Sequence, residues 1–148
     1  KIAEGLIGKD AHCSKIVLGN FTNLPFKNCL FNFVIDRQSI GHNDEKTILK
    51  ILKEVYRVLK EGGKYYGHVF SNEHPSFKYA KLKIGSDYSA FTEGVFKQSG
   101  LVHAFSLESI MEKYHMFKSL EITKYTQEVF EDKHSKITSV VYAISATK

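Results

Sequence analysis

The sequence predicts one α/β domain, and three patterns lead there. Residues 30–36 (LFNFVID) form an apolar run, residues 45–60 an amphipathic stretch, and residues 64–70 (KYYGHVF) a second apolar run. Strand, helix and strand with short links is the signature of a parallel βαβ unit, whose crossover is right-handed. Residues 120–130 and 137–146 then alternate, the pattern of an antiparallel hairpin that closes the sheet. A chain of 148 residues, 43% of them hydrophobic, buries roughly 70% of its unfolded surface and needs no disulfide or metal to hold a core.

Each element has a local reason. Residues 2–6 keep a helical register, and Gly8 offers a cap at the end. Residues 15–21 (KIVLGNF) are β-branched and apolar and predict a short strand. Pro25 breaks it, because proline lacks an N–H and fixes φ. The near-continuous apolarity of residues 30–36 predicts burial on both faces. Ile48, Leu52, Val55 and Leu59 fall at i, i+4, i+7 and i+11, with Leu49, Ile51 and Val58 widening the stripe. Asn43 or Asp44 can cap that helix, Glu45 suits its positive end, and Arg57 and Lys60 suit its negative end. Gly62 and Gly63 are expected to end it, since glycine accepts the left-handed conformation of a C-cap. Residues 72–100 read as a long insertion with some helix at 76–82, and such segments are usually functional. Ser106 is the N-cap of a second helix through residue 114, but Ser109 falls short of a full capping box. Residues 131–136 join the closing hairpin.

The net charge is +5 and the pI near 9.1. The basic residues are scattered: Arg37 and Arg57 are the two arginines, and lysines sit beside acids, as at Lys53 and Glu54. That pattern is a solvated surface, not a nucleic-acid footprint. No apolar run approaches the roughly 20 residues of a membrane span. The first nine residues are too short and too charged for a secretory signal. Cys13 and Cys29 form no zinc or redox motif. Reduced, structural thiols and a cytoplasmic location are expected. The seven histidines lack HxxxH or HExxH spacing, so no metal is expected.

Four segments carry a resemblance: residues 17–26 (VLGNFTNLPF), 31–36 (FNFVID), 52–63 (LKEVYRVLKEGG) and 101–110 (LVHAFSLESI). In this order they resemble the GD…LPF, FD.V, L.E..RVLKPGG and H.FS.EEL segments of the class I S-adenosylmethionine-dependent methyltransferases. The third is the most specific, and the likeness covers most of residues 15–117. It implies a Rossmann-like three-layer sandwich: a mostly parallel sheet with helices on both faces and a reversed last strand. In such sheets ligands bind beyond the carboxyl ends of the strands, here residues 19–22 and 36–40.

The resemblance implies S-adenosylmethionine as cofactor. Asn20 stands where the family has an acid that accepts from the adenine amino group; it keeps an acceptor oxygen without the charge. Phe21 follows, where a backbone N–H meets the adenine ring. Asn32 replaces a usual Asp. Asp36, Arg37 and Gln38 match the wall around the methionine part, where Asp36 or backbone carbonyls accept from its ammonium. Arg37 either serves that wall or pairs with Asp36. His42, His74 and His103 are the candidate bases, because histidine titrates near neutral pH. Each has a structural alternative: His42 at the start of the helix, His103 packing or bonding backbone near Ser106. The family's glycine-rich first loop and the ribose-holding acid have no counterpart upstream of Lys15. Residues 2–6 align with the helix after the family's second strand. The resemblance therefore implies a carboxyl-terminal part without the first two strands and the main half of the cofactor site.

The function so implied is methyl transfer to a small-molecule acceptor, with residues 72–100 as a substrate lid. Phe77, Tyr79, Tyr88, Phe91 and Phe96 either line that lid or simply pack under a long loop. The competing reading is a non-catalytic, degenerate or fragmentary domain acting through protein contacts, including self-association through unpaired strand edges. A nicotinamide-dependent enzyme on a similar sheet has no positive sign here. Strand order separates the cases. In the family, two strands separate those expected from residues 15 and 30, so here the two either pair, leave a gap or are completed by another copy.

Overall fold

The computed structural model describes residues 15–130 and 136–148. The expected helix at residues 2–6, its Gly8 cap, Cys13 and the hairpin link at 131–135 lie outside them. In chain order the elements are β1 (Phe31–Arg37), a 3-10 turn (Ile40–His42), α1 (Glu45–Val58) and β2 (Leu59–Phe70). A second 3-10 turn (Pro75–Tyr79), β3 (Ala80–Ile84), β4 (Asp87–Phe91) and β5 (Val102–His103) follow. Then come α2 (Leu107–Lys113), β6 (Ser119–Phe130) and β7 (Lys136–Thr147).

The βαβ unit is present: β1 and β2 pair in parallel across α1. The closing hairpin is present too, with β7 antiparallel between β2 and β6, so the order is β1-β2-β7-β6. Among the described residues three strands of this sheet run one way and β7 the other, and β1–β2 is the one parallel ladder. The described part of the sheet is mixed, because the reversed strand lies between β2 and β6.

Residues 15–21 form no strand. Residues 15–20 are exposed and unpaired except for one bridge between Asn20 and Asn23. The Asn20 side chain accepts from the Thr22 N–H and hydroxyl, both at 2.9 Å. This local turn takes the place of an extended strand, which would have no neighbour among the described residues. Among the described residues β1 is therefore the sheet's edge. Its Val34 packs into the core, but Phe33 is 60% and Ile35 78% exposed, so burial is one-sided instead of two-sided. The covered face carries Val34, Tyr65, Val69, Tyr142 and Ile144 against α1 and α2. No described helix covers the other face, so the described residues form two layers of the expected three.

In α1, Ile48, Ile51, Leu52, Val55 and Val58 are buried, each worth roughly 1.5–3 kcal/mol. Asp44, not Asn43, caps it by accepting from Thr47 N at 2.7 Å. The helix ends at Val58, before Gly62 and Gly63. Cys29 N–H and Leu30 N–H capture the carbonyls of Arg57 and Val58 at 2.9 and 2.8 Å, so the last turn is satisfied by the chain entering β1. Gly62 instead takes φ 73° inside β2, where the ladder with β1 shifts register.

The insertion is more ordered than expected. Helix is confined to the 3-10 turn Pro75–Tyr79. From Ala80 the chain forms an antiparallel sheet, β3-β4-β5, turning at Gly85 and Ser86. Phe77, Phe91 and Phe96 are buried with Phe70, Val102 and Val141 in a second core. Tyr88 packs against it, so these aromatics pack beneath the segment. Ser106 and Ser109 form a reciprocal capping box on α2; a hydroxyl at N3 replaces the usual carboxylate.

Candidate functional site

The carboxyl end of β1 is built around Asp36. Its Oδ1 accepts from Ser39 N–H at 3.1 Å and Ser39 Oγ at 2.6 Å, and its Oδ2 from Ile40 N–H at 3.3 Å. Gln38 supplies the reversal with φ 69°, a left-handed conformation that costs a side chain of this kind about 1–2 kcal/mol. Tyr65 on β2 completes the cluster: its hydroxyl lies 3.5 Å from Asp36 Oδ2 and 3.4 Å from Tyr114 Oη. Burial, then the neighbouring Tyr114 and Asp36, push the Tyr65 hydroxyl well above its ordinary range, so it acts as a neutral donor.

Gly67 permits this arrangement. It pairs opposite Asp36 in the ladder, and the Tyr65 ring lies along the strand over it. A Cβ at 67 would fall 2.1 Å from Tyr65 Oη and 2.4 Å from Cζ.

Beside the turn is a cleft of about 140 Å³ whose lining includes Phe21, Leu24, Asp36, Ser39, Ile40 and Tyr65. Arg57 holds the segment that closes it. Its guanidinium donates to the carbonyls of Leu24 (3.0 Å) and Phe26 (2.8 Å) and to Asn28 Oδ1 (2.7 Å). It also forks onto Glu54 with two bonds of 2.8 Å, and Glu54 accepts from Leu24 N–H at 2.8 Å. Arg57's hydrogen bonds hold the Glu54 carboxyl below its usual range, against the opposing effect of burial. The five donors of the guanidinium fork reach five acceptor atoms; an ammonium has three donors.

The structure brings Phe21, Asp36 and Gln38 to one end of β1. Asn20 sits in the adjacent turn with its side-chain oxygen already shared by the two Thr22 donors. No ion pair joins Arg37 to Asp36 among the described residues; Arg37 lines the opposite, open face. The histidines gather around Phe70 and Phe105. His42 is exposed and meets Phe70 edge-on at 5.6 Å. His74 is buried against Phe70 and Phe96 and caps the Pro75 turn by accepting from Ser76 N–H at 3.2 Å. Burial lowers its pKa from 6.5 to about 4. His103 does not bond the Ser106 backbone; its Nδ1 lies 2.5 Å from Asp87 Oδ1.

Sequence reasoning missed Tyr65, Gly67, Ser39 and Asp87. The YxG spacing of Tyr65 and Gly67 was a usable signal, since residues i and i+2 share a strand face. Asp87 had none, because its place opposite His103 depends on an unforeseen hairpin register.

Residues 1–67 match the methyltransferase-domain family. Among solved structures, the chain is similar to a SAM-dependent methyltransferase of Thermotoga maritima, at 24% identity, TM-score 0.59, covering 88% of this chain and 62% of that one. A SAM-dependent methyltransferase of Methanosarcina mazei gives 20% identity, TM-score 0.64, and coverage of 88% and 65%. The 1,6-didemethyltoxoflavin-N1-methyltransferase of Burkholderia thailandensis, solved with 1,6-didemethyltoxoflavin and S-adenosylhomocysteine bound, gives 14% identity, TM-score 0.63, and coverage of 99% and 56%. At these identities the likeness is one of fold, and the chain spans less than two thirds of each structure's length. No curated protein matches the sequence.

Proposed function

We propose that this chain, a relative of the class I S-adenosylmethionine-dependent methyltransferases, forms part of an enzyme that methylates a small-molecule acceptor. The observation that carries the reading is the anchored turn and cleft beyond the carboxyl end of β1, the place where such sheets bind ligands.

The residues present fit one wall of a cofactor site. A cleft of about 140 Å³ is smaller than the roughly 300 Å³ at which ligand pockets begin, so it takes part of a nucleoside, not a whole one. Phe21 is 47% exposed and offers a ring face to adenine, with Leu24 beside it. The Asp36–Ser39 turn offers backbone carbonyls and a fixed negative charge toward an ammonium. Asn20 can take the adenine amino group by giving up one Thr22 bond. When bound, S-adenosylmethionine supplies an electrophilic methyl group on a positively charged sulfur. The chain's own contribution is positioning, which in a displacement of this kind can supply much of the rate. Arg57 fixes the Leu24 wall, Asp36 the turn, and residues 72–100 serve as the lid over the acceptor.

Among the described residues one sheet face is uncovered and the edge of β1 is unpaired, which favours a second reading, a domain acting through protein contacts. One experiment separates the two. Adding S-adenosylhomocysteine to the 15N-labelled complete gene product is expected to shift the amides of Phe21, Gln38 and Ser39. Spectra that stay superimposable at millimolar ligand would overturn the methyltransferase reading. The ligand of the Burkholderia enzyme, 1,6-didemethyltoxoflavin, is a suitable probe acceptor for the same sample.

A further inference from the structure

We propose that the outer edge of β6 pairs antiparallel with the same strand of a second copy, centred on Thr126, and joins the two sheets into one. The inference is independent of the methyl-transfer reading. It concerns a different strand from the β1 edge and a different surface from the open sheet face.

Among the described residues the two sheets leave four strands at an edge: β1, β6, β3 and β5. An edge offers its N–H and C=O groups to another chain, and short strands, lysines and irregular ladders blunt it. β5 has two residues. β3 has five, with Lys81 and Lys83 among them. β1 has seven, and its ladder shifts register between Phe31 and Phe33. β6 has twelve, contains no proline, and pairs with β7 at every residue from Ser119 to Phe130. Its residues 123–128 are exposed. β6 and β1 lie at opposite ends of the sheet, so chain added beside β1 leaves the β6 edge as it is.

The side chains of β6 are complementary to their own copy. Lys124, Thr126 and Glu128 alternate on the face that Ile122 turns toward the core. A two-fold axis through Thr126 sets Thr126 opposite itself and Lys124 opposite Glu128 of the second copy, twice over. Opposite charges and paired threonines are favourable at facing positions, and like charges are not. On the other face the same register sets Tyr125, which is 51% exposed, opposite Gln127. An axis through Lys124 or Glu128 would set like charges face to face. Of the registers that keep both helical layers on one side of the joined sheet, the Thr126 register alone sets Lys124 opposite an acid of β6, because Glu121 lies on the other face.

Within one chain Lys124 meets Glu73 at 2.5 Å, yet its side chain is 38% exposed. An ammonium has three donors, so it can bridge Glu73 and the incoming Glu128. A contact of this kind is isologous and closes at two chains. A seam one strand wide sits at the small end of protein interfaces, below roughly 1,200 Å². The association is therefore weak and depends on protein concentration.

Sedimentation velocity of the complete gene product over a wide range of concentration tests the association. The weight-average coefficient should rise with concentration. Lys124→Glu sets like charges opposite one another and should weaken the dimer by roughly tenfold or more. Adding Glu128→Lys should restore it, even though the new acid at 124 then repels Glu73. That rescue separates pairing between copies from loss of the Glu73 contact. Thr126→Cys tests the register. Facing Cα atoms lie roughly 4.5–5.5 Å apart, within disulfide reach, so air oxidation of the two thiols should give a covalent dimer on a non-reducing gel. Thr123→Cys should not, because the register separates its two copies by about 20 Å along the strand. Wild type, with Cys13 and Cys29, is the control lane. A product that stays monomeric at every concentration, a dimer untouched by Lys124→Glu, no rescue by the double change, or crosslinking at 123 as readily as at 126 overturns the proposal.

Discussion

Acidification should weaken this fold through His74, by an amount the structure sets. Burial lowers the pKa of its ring from 6.5 to about 4, so the folded state prefers the neutral form more than the unfolded chain does. The stabilisation is complete above the unfolded value of 6.5 and is lost as the pH falls through about 4. That interval, at about 1.4 kcal/mol per pH unit, is worth about 3 kcal/mol. His74→Asn removes the titrating ring while placing an oxygen where Nδ1 accepts from Ser76 N–H, so the turn keeps its cap. The variant loses ring packing at every pH; only the slope is diagnostic. Urea unfolding of both proteins at several pH values between about 7 and 4 measures it. Wild type should lose about 3 kcal/mol more than the variant, because carboxylates and the other histidines titrate in both. Parallel curves, within about 0.5 kcal/mol, would show that His74 is not held neutral in the fold and would refute the reasoning.

Gly67→Ala places a methyl 2.1 Å from the Tyr65 hydroxyl and should cost about 1–3 kcal/mol, lowering Tm by roughly 5 °C; an unchanged Tm in calorimetry means that Tyr65 does not lie over Gly67. Arg57→Lys cannot span the Leu24 and Phe26 carbonyls together, so hydrogen exchange of the amides at 24–30 should speed by roughly tenfold. Exchange at the wild-type rate would show that the guanidinium does not hold that segment. Ile35→Lys alters a side chain that is 78% exposed and should leave unfolding free energy within about 0.5 kcal/mol of wild type. If the same variant changes the sedimentation coefficient, the open sheet face is a contact surface between copies, and the reading through protein contacts gains.

The parts of the fold that periodicity controls were legible in the residues. The stripe of Ile48, Leu52 and Val55 and the alternation around β6 and β7 each follow from one buried face. The misreadings share a cause as well: they turn on which neighbour the chain meets. Residues 15–21 have strand composition, but Thr22 satisfies Asn20 locally and no described strand lies alongside. Residues 30–36 are apolar enough for a central strand, yet among the described residues β1 is an edge, and Phe33 and Ile35 stay exposed. Gly62 and Gly63 look like a helix stop, but the N–H groups of Cys29 and Leu30 reach α1's carbonyls first. At the site, the resemblance pointed to Asp36 and Gln38, and the three histidines were singled out by residue type. What it could not show was orientation. Asp36 already accepts from Ser39 and Ile40, Arg37 faces away from it, and Asp87 meets His103 only because a hairpin forms in one register.

The central claim is that the Phe21–Asp36 end of β1 is a wall of an S-adenosylmethionine site. Calorimetric titration of the complete gene product containing these 148 residues with S-adenosylhomocysteine tests it most directly, run beside Phe21→Ala. The account predicts saturable one-to-one binding, weakened roughly tenfold or more when the Phe21 ring is removed. Binding that ignores the Phe21→Ala change, or no binding by the complete product, would contradict it.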